Sequence, residues 1–451
     1  MNKALLFFLA FFLSIFLNAQ NANFNSYNFG EGLEFVSEDE HSFKLGGYIQ
    51  PFLESRFIFN DSIDENYNDN RFRMRRLRVR LSGKSPSNNL SYRIQFDLSG
   101  VSETGDESSN LLLDAFLTYS FNKRTKLTIG QRSLRSDNRE LPMSSATLQL
   151  VERSRLTSSF ATIRDFGLFL QRDIRFKNGS YLRNYLEITS GDGMNNFQMD
   201  YGGLKYGGRI DFVPFGLFTN MGQFRQADIM RERSLKLVIG VNCSYNQGMS
   251  SRRGRVGGDF MFYNITATDT ILRLPNYLKY GTDLMLKYKG FSFLAEYVKT
   301  EAYIANDITH RNNRYGDDPS EIVNRFTSNS INIDPKDYVR SQLLLGSGLN
   351  IQTGYIFKNL FSVDGRFTTI SSEEFSWLNN GTFYNRPNYY TFGVSKYFAR
   401  NYGVKVQASI TYVEVNEGSN YSFQTEEIGE YTNIPHQGSE FLFRLITSLS
   451  F

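Results

Sequence analysis

From about residue 40 onward the chain keeps one rule: segments of about ten residues alternate apolar with polar side chains, and turn residues separate them. In LSYRIQFDLSG, Tyr92, Ile94, Phe96 and Leu98 share one face, while Arg93, Gln95 and Asp97 take the other. In YGVKVQASITYVEV, Val404, Val406, Ala408, Ile410 and Tyr412 oppose Lys405, Gln407, Ser409, Thr411 and Val413. A period of two is the period of a β-strand. The last segment, EFLFRLITSLSF, sets Phe441, Phe443, Leu445, Leu449 and Phe451 on one side, as expected of a closing strand that pairs with the first.

The connections alternate too. SPSNN (85–89), NKRT (122–125), KNGS (177–180), KG (289–290) and ARN (399–401) are short turns. Long polar stretches rich in Gly, Asn, Asp and Ser fill the other joints, at 60–70, 101–110, 133–163, 191–204, 246–278, 301–337, 371–387 and 416–438. Counting segments gives about sixteen strands, an even number, with tight turns on one rim and long loops on the other. A soluble sandwich or a propeller does not need that asymmetry. A transmembrane antiparallel β-barrel does: its outer face must be apolar over about 25 Å with aromatic girdles at both interfaces. Aromatic residues make up 15% of the chain. Rings at segment ends, Tyr119 with Phe121 and Tyr397 with Phe398, suit such girdles.

The N-terminus agrees with export. In MNKALLFFLAFFLSIFLNAQ a charged residue, Lys3, precedes an apolar run from Ala4 to Leu17 and a small-residue site at Asn18-Ala19-Gln20, the pattern of a signal peptide. No later stretch is apolar for the length of a transmembrane helix. A formal net charge of +4 over 451 residues gives no field that points to nucleic acid. One cysteine, Cys243, and three histidines, His41, His310 and His436, leave no material for a metal centre, so no cofactor is expected. No histidine sits in a strand beside a serine partner, so catalysis of the hydrolase kind is not expected. The glycine pairs of GGLKYGG (202–208) punctuate a strand start and do not form a phosphate cradle.

The segment RFRMRRLRVR (71–80) is read as the second strand. Arg76, Arg78 and Arg80 alternate with Leu77, Val79 and Leu81, which places the aliphatic set towards lipid and the guanidiniums in a water-filled lumen. Arg71, Arg73 and Arg75 fall in the opposite phase, which implies either a bulge or a position at the rim; the rim is preferred because it keeps arginine out of lipid. Fixed cations in a confined channel attract anions. The plainer alternative is that they pair with lumen carboxylates such as Asp97, Asp114 and Glu54. A second cluster, Arg132, Arg135, Arg139, Arg153, Arg155 and Arg164, occupies a connection too long for a turn. Folded into the lumen it would narrow the channel; left outside it would be a solvated surface loop.

FRMRRLRVRLSGK, LSYRIQFDLSG, LLLDAFLTYSF, LTIGQRS, LVERS and IRDFGLFL, in that order, resemble the phosphate-selective porin O and P family in its Bacteroidota-like branch, best over about residues 30–175. The resemblance implies a 16-stranded outer-membrane barrel, a homotrimer, a loop inside the pore and passage of phosphate-like anions. It places Arg76, Arg78 and Arg80 on the wall and Arg132, Arg135 and Arg139 in the loop as the residues lining the anion path. GQRSLRSDNRELPMSS departs from the family's Lys-Pro-Phe-Gly-type run there. The chain thus divides into a signal peptide (1–19), a periplasmic segment (20–41) and a barrel (42–451) with an inward loop at about 133–163. The competing reading is an accessory barrel of a larger outer-membrane complex, with the loops at 246–278 and 301–337 as docking surfaces.

Overall fold

The computed structural model describes residues 23–24, 30, 32–59, 67–87, 89–100, 111–194, 201–255, 257–313, 318–322, 334–379, 386–414 and 439–451. The signal peptide expected at 1–19 lies outside the described residues. So do the connections at 101–110 and 416–438, and parts of those at 60–70, 191–204, 246–278, 301–337 and 371–387.

Antiparallel strands, 16 in number, close into a barrel. They are β1 (Ser42–Phe59), β2 (Tyr67–Lys84), β3 (Leu90–Asp97), β4 (Leu112–Ser120), β5 (Thr125–Ser133), β6 (Arg164–Arg175), β7 (Tyr181–Thr189), β8 (Lys205–Val213), β9 (Lys236–Asn246), β10 (Asn276–Tyr288), β11 (Phe291–Tyr303), β12 (Gly346–Ile356), β13 (Phe361–Ser372), β14 (Asn388–Tyr397), β15 (Val404–Glu414) and β16 (Ser439–Ser450). β16 returns to β1, with Ser439 opposite Phe59 and Ser450 opposite Tyr48. Closure pairs the two strands that would otherwise be edges, which a bilayer demands because it offers backbone groups no hydrogen-bond partner.

Side-chain alternation sets the wall inside out relative to a soluble protein. On β7, Arg183, Tyr185, Glu187 and Thr189 are buried, while Leu186 and Ile188 are 58% and 45% exposed. Outward rings form a belt near the long-loop rim across five strands: Phe59–Phe441 at 5.8 Å, Phe441–Tyr412 at 5.0 Å, Tyr412–Tyr390 at 6.1 Å and Tyr390–Phe367 at 5.1 Å. Tyr119 and Phe121 meet edge to face at 5.1 Å on the opposite rim. Tyr397 departs from the girdle expectation. It points into the barrel, fully buried against Tyr402, and only Phe398 faces out.

β2 corrects the rim reading of its first arginines. Pairing with β1 runs through the whole segment and shifts register at Gln50/Pro51, so that Gln50 faces Arg76 and Pro51 faces Met74. Arg75 is the extra residue of a β-bulge. The bulge switches the phase of the strand, so Arg71 and Arg73 share the bore with Arg76 and Arg78.

Two features lie beyond the wall. On the long-loop rim, Phe260–Ile265, Thr270–Leu272, His310–Asn313 and Ser320–Glu321 form a four-stranded sheet. It packs Phe260, Phe262 and Ile308 against Tyr338 and Val339 of a helix, Pro335–Gln342. On the short-turn rim, Leu33–Val36 pairs antiparallel with the start of β1, with Leu33 opposite Leu45. One joint on that rim is not short. Residues 214–235, between β8 and β9, form a folded segment that alternation alone did not single out.

Candidate functional site

The connection between β5 and β6 builds its own local structure. Ser144 caps a short 3-10 turn, Ser145–Thr147, by accepting from the Ala146 amide at 3.3 Å. Ser154 caps a single-turn helix, Arg155–Phe160, by accepting from the Thr157 amide at 3.2 Å. The serines of MSSATLQLVERSRLTSSF thus satisfy helix-end donors that would otherwise be buried without a partner.

Its side chains and carbonyls then reach bore-facing groups around the barrel. Glu187 of β7 accepts from the Ser136 hydroxyl at 2.6 Å. Asn242 of β9 donates to the Ser136 carbonyl at 3.0 Å. Glu296 of β11 accepts from the Glu140 amide at 2.8 Å. Gln149 donates to Asp364 of β13 at 2.6 Å and to Ser292 of β11 at 2.9 Å. Lys405 of β15 donates to the Leu148 carbonyl at 2.6 Å. Glu152 accepts from Arg76 of β2 at 2.8 Å and also pairs with Arg75. A segment touching so many strands lies within the ring they form.

The six arginines singled out in the sequence meet different fates. Arg139 is 1% exposed and sits between Asp211 of β8 and Asp283 of β10, at 2.6 Å and 2.5 Å. Arg209 joins the same two carboxylates at 2.8 Å and 2.5 Å, so this site is two guanidiniums on two aspartates. Arg76 is fully buried on Glu152 and Gln50, and Arg78 pairs with Asp97 at 2.7 Å. Arg132 lies over Phe116 and Phe169 at 5.1 Å and 5.4 Å, and Arg135 over Phe224 at 4.3 Å. Among the described residues, Arg80, Arg132 and Arg135 have no carboxylate at ion-pair distance. Arg164 of the second cluster pairs with Asp114 at 2.8 Å.

A further concentration of positive charge lies elsewhere. A cavity of about 250 Å³ opens between the loop and the wall of β1, β2 and β13–β16. Arg56, Arg71, Arg73, Arg75, Arg153, Arg155, Arg366, Arg386 and Arg444 line it, against Glu54, Glu152 and Glu440. Each glutamate is shared by two guanidiniums. Glu54 accepts from Arg71 at 2.8 Å and from Arg444 at 2.6 Å. Glu440 accepts from Arg56 at 2.9 Å and also holds Arg386. Glu152 takes Arg75 and Arg76. One carboxylate thus orients two cations and leaves one positive charge over. Arg73 lies over Phe52 at 5.3 Å and has no ion pair among the described residues. Arg366 donates to the Glu152 carbonyl at 2.8 Å. Burial by itself would raise the Glu152 carboxyl pKa, but Arg75 and Arg76 outweigh it and hold it well below the usual carboxylate range.

Sequence reasoning missed Arg56, Arg366, Arg386 and Arg444. Three of them stand in strands and Arg386 at a strand entry, one per segment, and hundreds of residues separate the two ends of the set. The closing register carried the available signal: β16 against β1 puts Arg444 directly across from Glu54.

A closed antiparallel barrel with an apolar exterior, a charged interior and a loop folded within it is an outer-membrane porin. The sequence matches phosphate-selective porin O and P over residues 54–314, and the chain belongs to that family, whose members are channels and not enzymes. Its place is accordingly the outer membrane. Among solved structures it is similar to an anion-selective porin from Comamonas acidovorans, at 8% identity and TM-score 0.50, over 91% of this chain and 100% of that one. It is also similar to the outer membrane channel DcaP of Acinetobacter baumannii, at 10% identity and TM-score 0.47, over 92% and 99% of the two chains. A loop-deletion mutant of OmpT, an outer membrane protein of Vibrio cholerae, aligns at 10% identity and TM-score 0.48, over 91% and 99%. At such identities the likeness concerns the fold. No curated protein matches the chain.

Proposed function

We propose that the protein is a passive porin for small anionic solutes, phosphate among them. Solutes enter the arginine-rich cavity from the long-loop side and move along the β2 wall past Arg76, Arg78 and Arg80 towards Arg132 and Arg135. The observation that carries this reading is the excess of guanidiniums over carboxylates in the cavity, with each glutamate shared by two arginines. In a confined, poorly screened space such an excess favours anions and repels cations, and the planar fork of arginine fits phosphate oxygens. Arg139 acts on this path indirectly, by fastening the loop to β8 and β10. The family likeness supports assembly as a homotrimer, and the N-terminal charge-then-apolar pattern supports removal of residues 1–19 as an export signal.

Planar-bilayer recording across a salt gradient tests the reading. The expected result is an open channel whose reversal potential marks anion preference. Arg80→Glu, at a position with no carboxylate partner to disturb among the described residues, should weaken that preference while the barrel stays folded. An accessory role in a larger complex is the second reading, favoured by how completely the loop is stitched across the bore. A folded barrel that conducts nothing would support it.

A further inference from the structure

Residues 214–235, PFGLFTNMGQFRQADIMRERSL, connect β8 to β9 on the rim where short turns prevail. The chain reverses at Asn220 and Met221, both in the left-handed region at φ 49° and 57°. It is then fixed inside the periplasmic mouth by one side of the barrel. Lys287 of β10 donates to the carbonyls of Gly222 and Ala227 at 2.9 Å and 3.0 Å. The Tyr402 hydroxyl, from the β14–β15 turn, donates to Ala227 at 2.6 Å. The Gly290 amide, from the β10–β11 turn, donates to Asp228 at 2.7 Å. Ala227 and Ile229 are buried with Ile356, Tyr397 and Tyr402.

From there the segment reaches the loop that descends from the other side. Gln226 donates to Glu140 at 2.8 Å and accepts from the Gln149 amide at 2.7 Å. Gln352 of β12 donates to Gln149 and to Gln226 at 3.1 Å and 3.2 Å, binding both at one point. Arg139 donates to the Gln223 carbonyl at 3.3 Å. Phe218 packs with Met143 of the loop. Hydrogen bonds among buried amide and carboxyl groups make such a junction specific.

We propose that residues 214–235 are a second constriction element: a foot on the periplasmic side that props the tip of loop 134–163, shuts the half of the bore bounded by β10–β15, and confines flux to the arginine-bearing wall of β2–β7. The inference deepens the channel reading above and rests on it. It names Gln226 as the residue that joins the two elements, and it makes the unusual length of this one connection a determinant of conductance.

The test replaces residues 215–235 with Lys-Asn-Gly-Ser, the turn this chain uses at 177–180, and compares single-channel conductance with that of the unaltered protein. Heat-modifiable gel mobility reports whether the barrel is folded. The expected result is a conductance at least twofold higher. Gln226→Ala, which keeps the segment and removes only its junction, should give a smaller rise and serves if the replacement does not fold. A wild-type barrel that is shut and opens on replacement supports the proposal equally. Unchanged conductance in folded variants, at the wild-type value or at none, overturns it. Reversal potentials from the same membranes keep the two readings apart. Anion preference with unchanged conductance sinks the foot alone; raised conductance without anion preference upholds the foot and sinks the anion reading.

Discussion

The bore holds arginines in two settings, and they do opposite things. At β8 and β10, Arg139 and Arg209 face Asp211 and Asp283, charge for charge, with all four side chains almost wholly buried. At β1, β2 and β13–β16, nine guanidiniums stand against three carboxylates around an open cavity. The first arrangement cancels its field and spends its energy on position, as a latch for the loop. The second leaves charge over, which under the anion-channel reading proposed above acts on what enters. An arginine's neighbours, and not its presence in the lumen, decide whether its charge is cancelled or left over.

The latch is where that difference should be largest. Arg139→Ala leaves two buried aspartates with one guanidinium, and removing one partner from a buried ion network costs about 3–5 kcal/mol. Denaturant titration of the folded barrel should register a loss of that order, with noisier and larger conductance as the loop loses its hold. If Arg139→Ala were as mild as a change at an unpaired arginine, the contrast between the two settings would fail.

Arg73→Glu probes the other setting. Among the described residues Arg73 has no ion pair to break, and what it loses is its contact over the Phe52 ring, so the stability cost should be small while the cavity loses two units of positive charge. The expected outcome is a reversal potential moved towards cations, read in a salt gradient and larger at low ionic strength, where screening is weak. A shift in stability with no shift in selectivity would place Arg73 with the latch.

Glu152 belongs to both regions, since it lines the cavity and ties the loop to β2. Its carboxyl pKa lies below the usual carboxylate range when the loop is docked. For an acid lowered on docking, the stabilisation is present above the undocked pKa and is lost as pH falls through the docked one. Docking should therefore be constant from neutral pH into the usual carboxylate range and weaken only in more acidic solution. Conductance recorded against pH checks this, and Glu152→Gln at neutral pH should reproduce the acid behaviour. A change already complete above the usual carboxylate range would contradict the Arg75–Glu152–Arg76 clamp.

The barrel was legible because a lipid-facing strand must be apolar at every second residue, which the chain repeats around the ring. The inward row of Arg76, Arg78 and Arg80 was legible for the same reason. The bulge at Arg75 was readable only as one of two options, since a phase shift in sequence does not say whether pairing continues through it. The cavity could not be assembled from sequence, because Arg366, Arg386, Arg444, Arg56 and Arg73 become neighbours only when β16 closes on β1. The inward foot at 214–235 was hidden for a different reason: Pro214 and Gly216 mark a turn after β8, but nothing in the sequence says that the chain folds into the bore before β9 begins. That Arg139 would be neutralised, while Arg73 would not, depends on aspartates more than seventy residues away.

The finest contrast between latch and cavity lies in the glycines of the wall. A Cβ at Gly393 of β14 would come within 2.4 Å of Leu150 Cδ2, so the loop lies close against the strand there. A glycine inside a strand commonly marks such an approach. Gly393→Ala pushes against the far end of a flexible side chain, and the expected cost is at the low end for overpacking, about 1 kcal/mol. The loop tip should lift slightly without losing Arg139, and conductance should rise a little with selectivity unchanged. Because the cavity charges are untouched, any change in reversal potential from this methyl would mean that the loop's height sets selectivity, and that the division between an arginine latch and an arginine field is drawn in the wrong place.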